Sequence, residues 1–296
     1  MDDSAFASPP SSAVPAPDPP AGATGLGSDA WRPWTAPAAL IGAIVAAALG
    51  GILVDIPAVA FGVRITSAHI PPGIVNLDTA VQDVGFVVTA VFFAHLGGRA
   101  VSASDFGLRP TRLARAVGFI VLTYLGFFAF AVAWGAIAEA PKEELLKQLG
   151  TEKSAALLIA SAVLTCVVAP VCEEFLFRGY IFAALRNWRG TVPAAVITGI
   201  LFGGVHATSA PAVDLVPLAF LGFALCLLYQ RTGSLYPCIV VHAINNSVAF
   251  AQLEEWHWWA YPLLAAASLG VIGTVAAVLM RVRILGSEPI PVGARG

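Results

Sequence analysis

Three ionisable residues fall within six positions of one apolar stretch, Ala169-Pro170-Val171-Cys172-Glu173-Glu174-Phe175-Leu176-Phe177-Arg178. Each such residue costs about 2.5–3.5 kcal/mol near the centre of a bilayer, so a paired or water-lined location and a functional role are expected by default. Glu174 and Arg178 are four apart and can pair on one helical face. Glu173 is rotated away by about 100° and is left free to act on water or to hold a metal. The same three residues could instead form a salt-bridge cluster that only pins two helices together.

Three further polar residues shift that balance. His206 follows Phe202 by one helical turn, in Leu201-Phe202-Gly203-Gly204-Val205-His206. His242 and Asn246, in His242-Ala243-Ile244-Asn245-Asn246, project from one face of another helix because they are also four apart. A lone histidine in an apolar helix is more often a satisfied core residue than a ligand. A glutamate, two histidines and an asparagine on three separate apolar segments are harder to set aside.

Depth tests whether they can meet. The turn between the helices carrying Glu173 and His206 centres near Arg189, sixteen residues after the first and seventeen before the second. At 1.5 Å per residue both lie about 25 Å along their helices from that turn. Asn246 follows the turn at Thr232-Gly233 by about 20 Å, with His242 one turn nearer to it. One buried constellation is geometrically possible, although Pro170 is expected to break or kink its helix and rotate the residues after it.

The elements that must position these groups are membrane helices. The 296 residues are 58% hydrophobic and only 11% charged, a balance that water-soluble packing does not need. Apolar stretches long enough for a helix of about 20 residues recur along the chain. Hydropathy and Pro/Gly punctuation predict about eight spans, near 37–61, 79–97, 114–137, 155–185, 192–208, 213–230, 234–252 and 260–280, an all-α polytopic integral membrane fold. Residues 1–30, rich in Pro, Ala, Ser and Gly, read as a disordered tail. Residues 31–285 form the transmembrane domain, with 155–250 as its catalytic core, and 286–296 are a short C-terminal tail. No signal peptide is expected, since the first basic residue is Arg32. Gly25 and Gly27 have neither a strand before them nor a helix after them to make a dinucleotide motif.

Charge orients the chain. With the tail inside, Arg32, Arg99, Arg109, Arg112, Arg115, Arg178, Arg186, Arg189, Arg231, Arg281, Arg283 and Arg295 collect on the cytoplasmic side. Arg64, Lys142, Lys147 and Lys153 fall outside, diluted by Glu139, Glu143, Glu144 and Glu152. That distribution places a multi-pass protein in the cell membrane with both termini cytoplasmic. Trp256, Trp258 and Trp259 mark an outer aromatic belt. The net charge of −2 offers no basic excess for nucleic acid. Cys166, Cys172, Cys226 and Cys238 lack zinc-site or disulfide spacing and read as small buried hydrophobes. Asp55 beside Pro57, and Asp78 with Asp83, are expected at the outer interface, solvated there. His69, His95 and His257 are expected near span ends.

In order along the chain, Glu-Glu-x-x-x-Arg, Phe-x-x-x-His and His-x-x-x-Asn resemble the CAAX prenyl protease and bacteriocin-processing (CPBP) family of intramembrane proteases. The resemblance covers roughly residues 155–250. Phe106-Gly107-Leu108-Arg109-Pro110 resembles a weaker feature of the same family. The resemblance implies an eight-helix fold and endopeptidase activity on peptide or protein substrates at the bilayer: CAAX proteins in eukaryotic members, bacteriocin or signal-peptide processing and immunity in bacterial ones. It implies that Glu173 and His206 activate water, that His242 and Asn246 stabilise the oxyanion, and that Glu174 and Arg178 organise the site. Peptide hydrolysis needs such a base and such donors.

The family is also described as metalloproteases, so a zinc ion held by Glu173, His206 and His242, with water in the fourth position, stays open beside metal-independent water activation. No His-Glu-x-x-His motif is present. A non-catalytic membrane scaffold or immunity protein on the same fold is the alternative. A transporter would show two related halves with broken helices, and no internal repeat is found. Serine and aspartate intramembrane protease motifs are absent too.

Overall fold

The computed structural model describes residues 31–66, 70–96, 100–138 and 154–286. The tail 1–30, the residues from 287 onward, His69, Arg99 and the charged run 139–153 lie outside them. The helices are α1 (Thr35–Ala60), α2 (Pro72–His95), α3 (Leu113–Ile137), α4 (Ala155–Val163), α5 (Ala169–Glu174), α6 (Ala183–Arg189), α7 (Thr191–Val205), α8 (Leu215–Thr232), α9 (Leu235–Leu253) and α10 (Ala260–Gly286). Single π-helical stretches, Leu164–Val168 and Phe175–Phe182, splice α4, α5 and α6 into one continuous rod, Ala155–Arg189.

Seven helical segments are long and apolar enough to cross a membrane among the described residues. The eighth expected span, α9, has 19 residues but stands apart from the seven because His242, Asn245, Asn246 and Gln252 dilute its apolar character. It needs less of that character, since much of α9 is enclosed by protein. The fold is thus a polytopic all-α membrane bundle. Its outer surface is apolar, with Leu53, Leu122, Leu125 and Leu263 exposed. That is the face a bilayer solvates.

Hydropathy puts the start of α2 seven residues late. Pro72 is its first residue, where the missing N–H costs nothing, and polar Asn76, Asp78 and Asp83 hide its first half from an apolar window. The expectation for Asp83 is overturned: it is fully buried within the bundle, not solvated at an interface. Pro170 does not break its helix. It sits in the first turn of α5, directly after the π stretch Leu164–Val168, where the backbone hydrogen bonding has already changed step.

Small residues set the closest approaches. A Cβ added to Gly203 would lie 2.6 Å from the Leu215 carbonyl and 2.9 Å from Ala219 Cβ; one on Gly199 would lie 2.6 Å from the Ala219 carbonyl. Helices α7 and α8 therefore touch along their backbones, as the small-residue seams of membrane helices allow. Gly190 (φ 79°) and Gly233 (φ 66°) make the tight turns before α7 and after α8 in the left-handed region that favours glycine. The loop 100–112 closes the same end of the bundle. Arg109 Nε donates to the Gly233 carbonyl at 2.7 Å, and the Phe106 ring stacks on Phe175 at 4.2 Å.

Candidate active site

The rod Ala155–Arg189 delivers both glutamates to the interior, and Glu174 and Arg178 are entirely enclosed. Arg178, one turn beyond Glu174 on the rod, donates from Nη1 to Glu174 Oε1 at 2.7 Å. Arg178 Nη2 donates to the Gly222 carbonyl of α8 at 3.1 Å, and the guanidinium lies 4.4 Å from the centroid of Phe202. The charge is therefore held by a carboxylate, a carbonyl and an aromatic face together.

The same Glu174 Oε1 lies 2.8 Å from His242 Nδ1. A carboxylate only accepts, so Nδ1 carries the proton and the ring is fixed in plane, with Nε2 turned the other way. Directly after α7, His206 Nδ1 meets the Phe202 carbonyl at 2.7 Å. That carbonyl also only accepts, so Nδ1–H donates and Nε2 of the neutral ring keeps its lone pair. Phe202 fills the space between the two, its ring 5.0 Å from His206 and 5.6 Å from His242. Phe202 was a motif position without a role in the sequence; here it is the common floor of both imidazoles and of Arg178.

Both free nitrogens face one oxygen. Glu173 Oε2 lies 4.0 Å from His206 Nε2 and 3.9 Å from His242 Nε2. It is buried and has no hydrogen-bond partner from the protein. Glu173, His206 and His242 thus come together around a gap. Asn246, one turn along α9 from His242, donates Nδ2–H to the Thr165 carbonyl in the first π stretch at 2.9 Å. It fastens α9 to the rod and keeps its second amide hydrogen.

A zinc ion does not fit these residues as they stand. Tetrahedral zinc with bonds of about 2.0–2.1 Å holds its ligand atoms about 3.3–3.4 Å apart, shorter than either Glu173–His separation. Among the described residues no group of three or more His, Cys, Asp or Glu side chains is placed to hold a metal. The cysteines are all free, and Cys166, Cys226 and Cys238 are buried. His95 and His257 are exposed, away from this cluster.

Asp83 is the residue that the sequence reading set at the outer interface and the structure buries. Placing the span start at 79 put Asp83 near a membrane surface. The signal was the helical phase: Asn76, Asp83, Phe86 and Ala90 share one stripe of α2, and an ionisable residue on such a stripe is functional by default.

Residues 155–248 match the family model described as type II CAAX prenyl endopeptidase Rce1-like. Over 93 residues the chain is 33% identical to the Bacillus subtilis (strain 168) protein named "Putative membrane peptidase YdiL", covering 31% of this chain and 37% of that one. An uncharacterized 24.3 kDa protein of Escherichia coli is 27% identical over 132 residues, 43% of this chain and 57% of the other. The UPF0177 protein YxdF of Lactococcus lactis subsp. lactis (strain IL1403) is 23% identical over 126 residues, 40% and 68% respectively. The chain thus spans between 37% and 57% of the length of the first two relatives. No solved structure matches. Every motif residue from Glu173 to Asn246 lies within the segment 155–248 that is similar to this family model.

Proposed function

We propose that this chain is an intramembrane endopeptidase in which Glu173 and His206 activate a water molecule for attack on a peptide carbonyl presented at the bilayer. The observation that carries the reading is the convergence of two anchored imidazoles on one unpartnered carboxylate oxygen, at 3.9 and 4.0 Å. One water bridges such a gap with hydrogen bonds of about 2.8 Å. Glu173 takes a proton from it, and the oxygen adds to the carbonyl carbon. Glu173 then returns the proton to the leaving amine nitrogen as the C–N bond breaks.

The second amide hydrogen of Asn246 and Nε2 of His242 are the donors for the developing oxyanion. His242 donates from Nε2 only as the charged imidazolium, a form to which Glu174 at Nδ1 is electrostatically complementary. The substrate is a peptide or membrane-tethered protein. The Arg-rich end of the bundle and both termini face the cytoplasm in this reading.

The test is cleavage of a panel of membrane-tethered reporter peptides by the purified full chain. Glu173→Ala and His206→Ala are each expected to lower the rate by at least about 10²-fold, as loss of a positioned acid–base group does, and a chelator is expected to leave it unchanged. Cleavage unaltered in both variants sinks the Glu/His site. No cleavage by the unaltered chain on any reporter favours a non-catalytic scaffold, and loss of cleavage on chelation restores the metal reading.

A further inference from the structure

Asp83 lies outside the family-matched segment and is enclosed completely, with neither carboxylate oxygen meeting a hydrogen-bond partner from the protein. A buried carboxyl group without partners costs several kcal/mol, so a native structure retains one only with a proton, a water or a task to compensate.

Two contacts bracket its position along the rod. Ser161 Oγ donates to Asn76 Oδ1 at 2.9 Å, and the Phe86 and Phe177 rings meet edge to face at 6.5 Å. Between these contacts α2 and the rod run in the same direction. Asp83 lies seven tenths of the way from Asn76 to Phe86, and the same fraction of the interval from Ser161 to Phe177 falls between Cys172 and Glu173. Electrostatic interaction between Asp83 and both Glu173 and Cys172 agrees with that placement. Among the described residues no lysine or arginine pairs with either carboxylate, Arg178 being committed to Glu174. The other acids of this hairpin, Asp55 and Asp78, interact with each other.

We propose that Asp83 is a positioning residue of the site, its carboxyl joined to the Glu173 carboxylate through a shared hydrogen or an intervening water, so that Glu173 Oε2 stays turned toward His206 and His242. This rests on the hydrolytic reading of Glu173. Asp83 touches neither the nucleophilic water nor the substrate in this arrangement. It acts by holding Glu173 and by setting the charge against which Glu173 accepts its proton.

Two measurements on the full chain in detergent test it. The first is a double-mutant cycle in thermal unfolding, Asp83→Asn with Glu173→Gln, which reads the coupling whether or not the chain cleaves anything. Non-additive shifts in melting temperature are expected; additive shifts overturn the proposal. The second is the pH dependence of reporter cleavage. Asp83→Asn is expected to lower kcat at least about tenfold with little change in KM, and to displace the limb of the profile that reports Glu173. Asp83→Glu is expected to recover part of the rate. A profile for Asp83→Asn that superimposes on that of the unaltered chain overturns the role, as does an Asp83→Leu variant that melts higher and cleaves normally, the signature of a merely strained core residue. Cleavage that survives Glu173→Ala overturns the Glu/His reading and this positioning role with it, while additive shifts beside an intact Glu173 requirement overturn the role of Asp83 alone.

Discussion

Arg178 carries a full charge in a place with no exposure, and its Nε finds no partner. Its retention there depends on Glu174, the Gly222 carbonyl and the Phe202 ring acting together. Arg178→Ala is therefore expected to destabilise the chain by about 3–5 kcal/mol, the cost of leaving a buried partner charge uncompensated. Glu174→Gln combined with Arg178→Met should cost less than Arg178→Ala, and equal or greater loss in the double variant would show that the ion pair is not what the fold depends on. Thermal unfolding in detergent reads both. At this scale the Glu174–Arg178 pair was legible because its partners are four residues apart on one rod. The hydrogen bond between His242 and Glu174 spans 68 residues, and the burial of Asp83 depends on which rod α2 meets, so neither can be read from local spacing.

Helices α7 and α8 show how an element sets the site. His206 comes directly after the last residue of α7, and its position is as firm as the seam that holds α7 against α8. Gly203→Val puts a branched side chain where a Cβ alone would lie 2.6 Å from the Leu215 carbonyl and is expected to cost about 1–3 kcal/mol, as overpacking does. It should also lower reporter cleavage by displacing His206. Gly204 has open space around its Cβ direction, so Gly204→Val should leave both melting temperature and cleavage as they are. Equal losses in the two variants would mean that helix propensity, not the seam, is being measured. The π stretches act in the same way at the other wall. The first presents the Thr165 carbonyl to Asn246, and the second leads Phe177 to Phe86 and Phe202. Hydropathy identified this rod as a span, but an extra residue per turn leaves no mark in composition, so Pro170 read as a break or kink.

For the whole molecule, the orientation in the bilayer is the open proposal. Arg189→Cys and Trp258→Cys place a thiol at opposite ends of the bundle, at the turn before α7 and in the aromatic turn before α10. A membrane-impermeant thiol reagent on intact cells is expected to label the second and spare the first; the reverse pattern inverts the topology. The natural cysteines are a quiet background, with three of the four buried.

The membrane class, the approximate number of helices and the polar residues within them were all written into composition and period, because an apolar solvent demands long helices and penalises every buried charge one residue at a time. Those are local demands, visible in a linear chain. Which Nε2 faces which oxygen, how wide the gap between Glu173 and the two histidines is, and that α2 buries a carboxyl group inside the bundle depend on the packing of separate rods. That packing is set by glycine seams, π turns and ring contacts between residues far apart in the chain, and the spacing within any one helix carries no record of it.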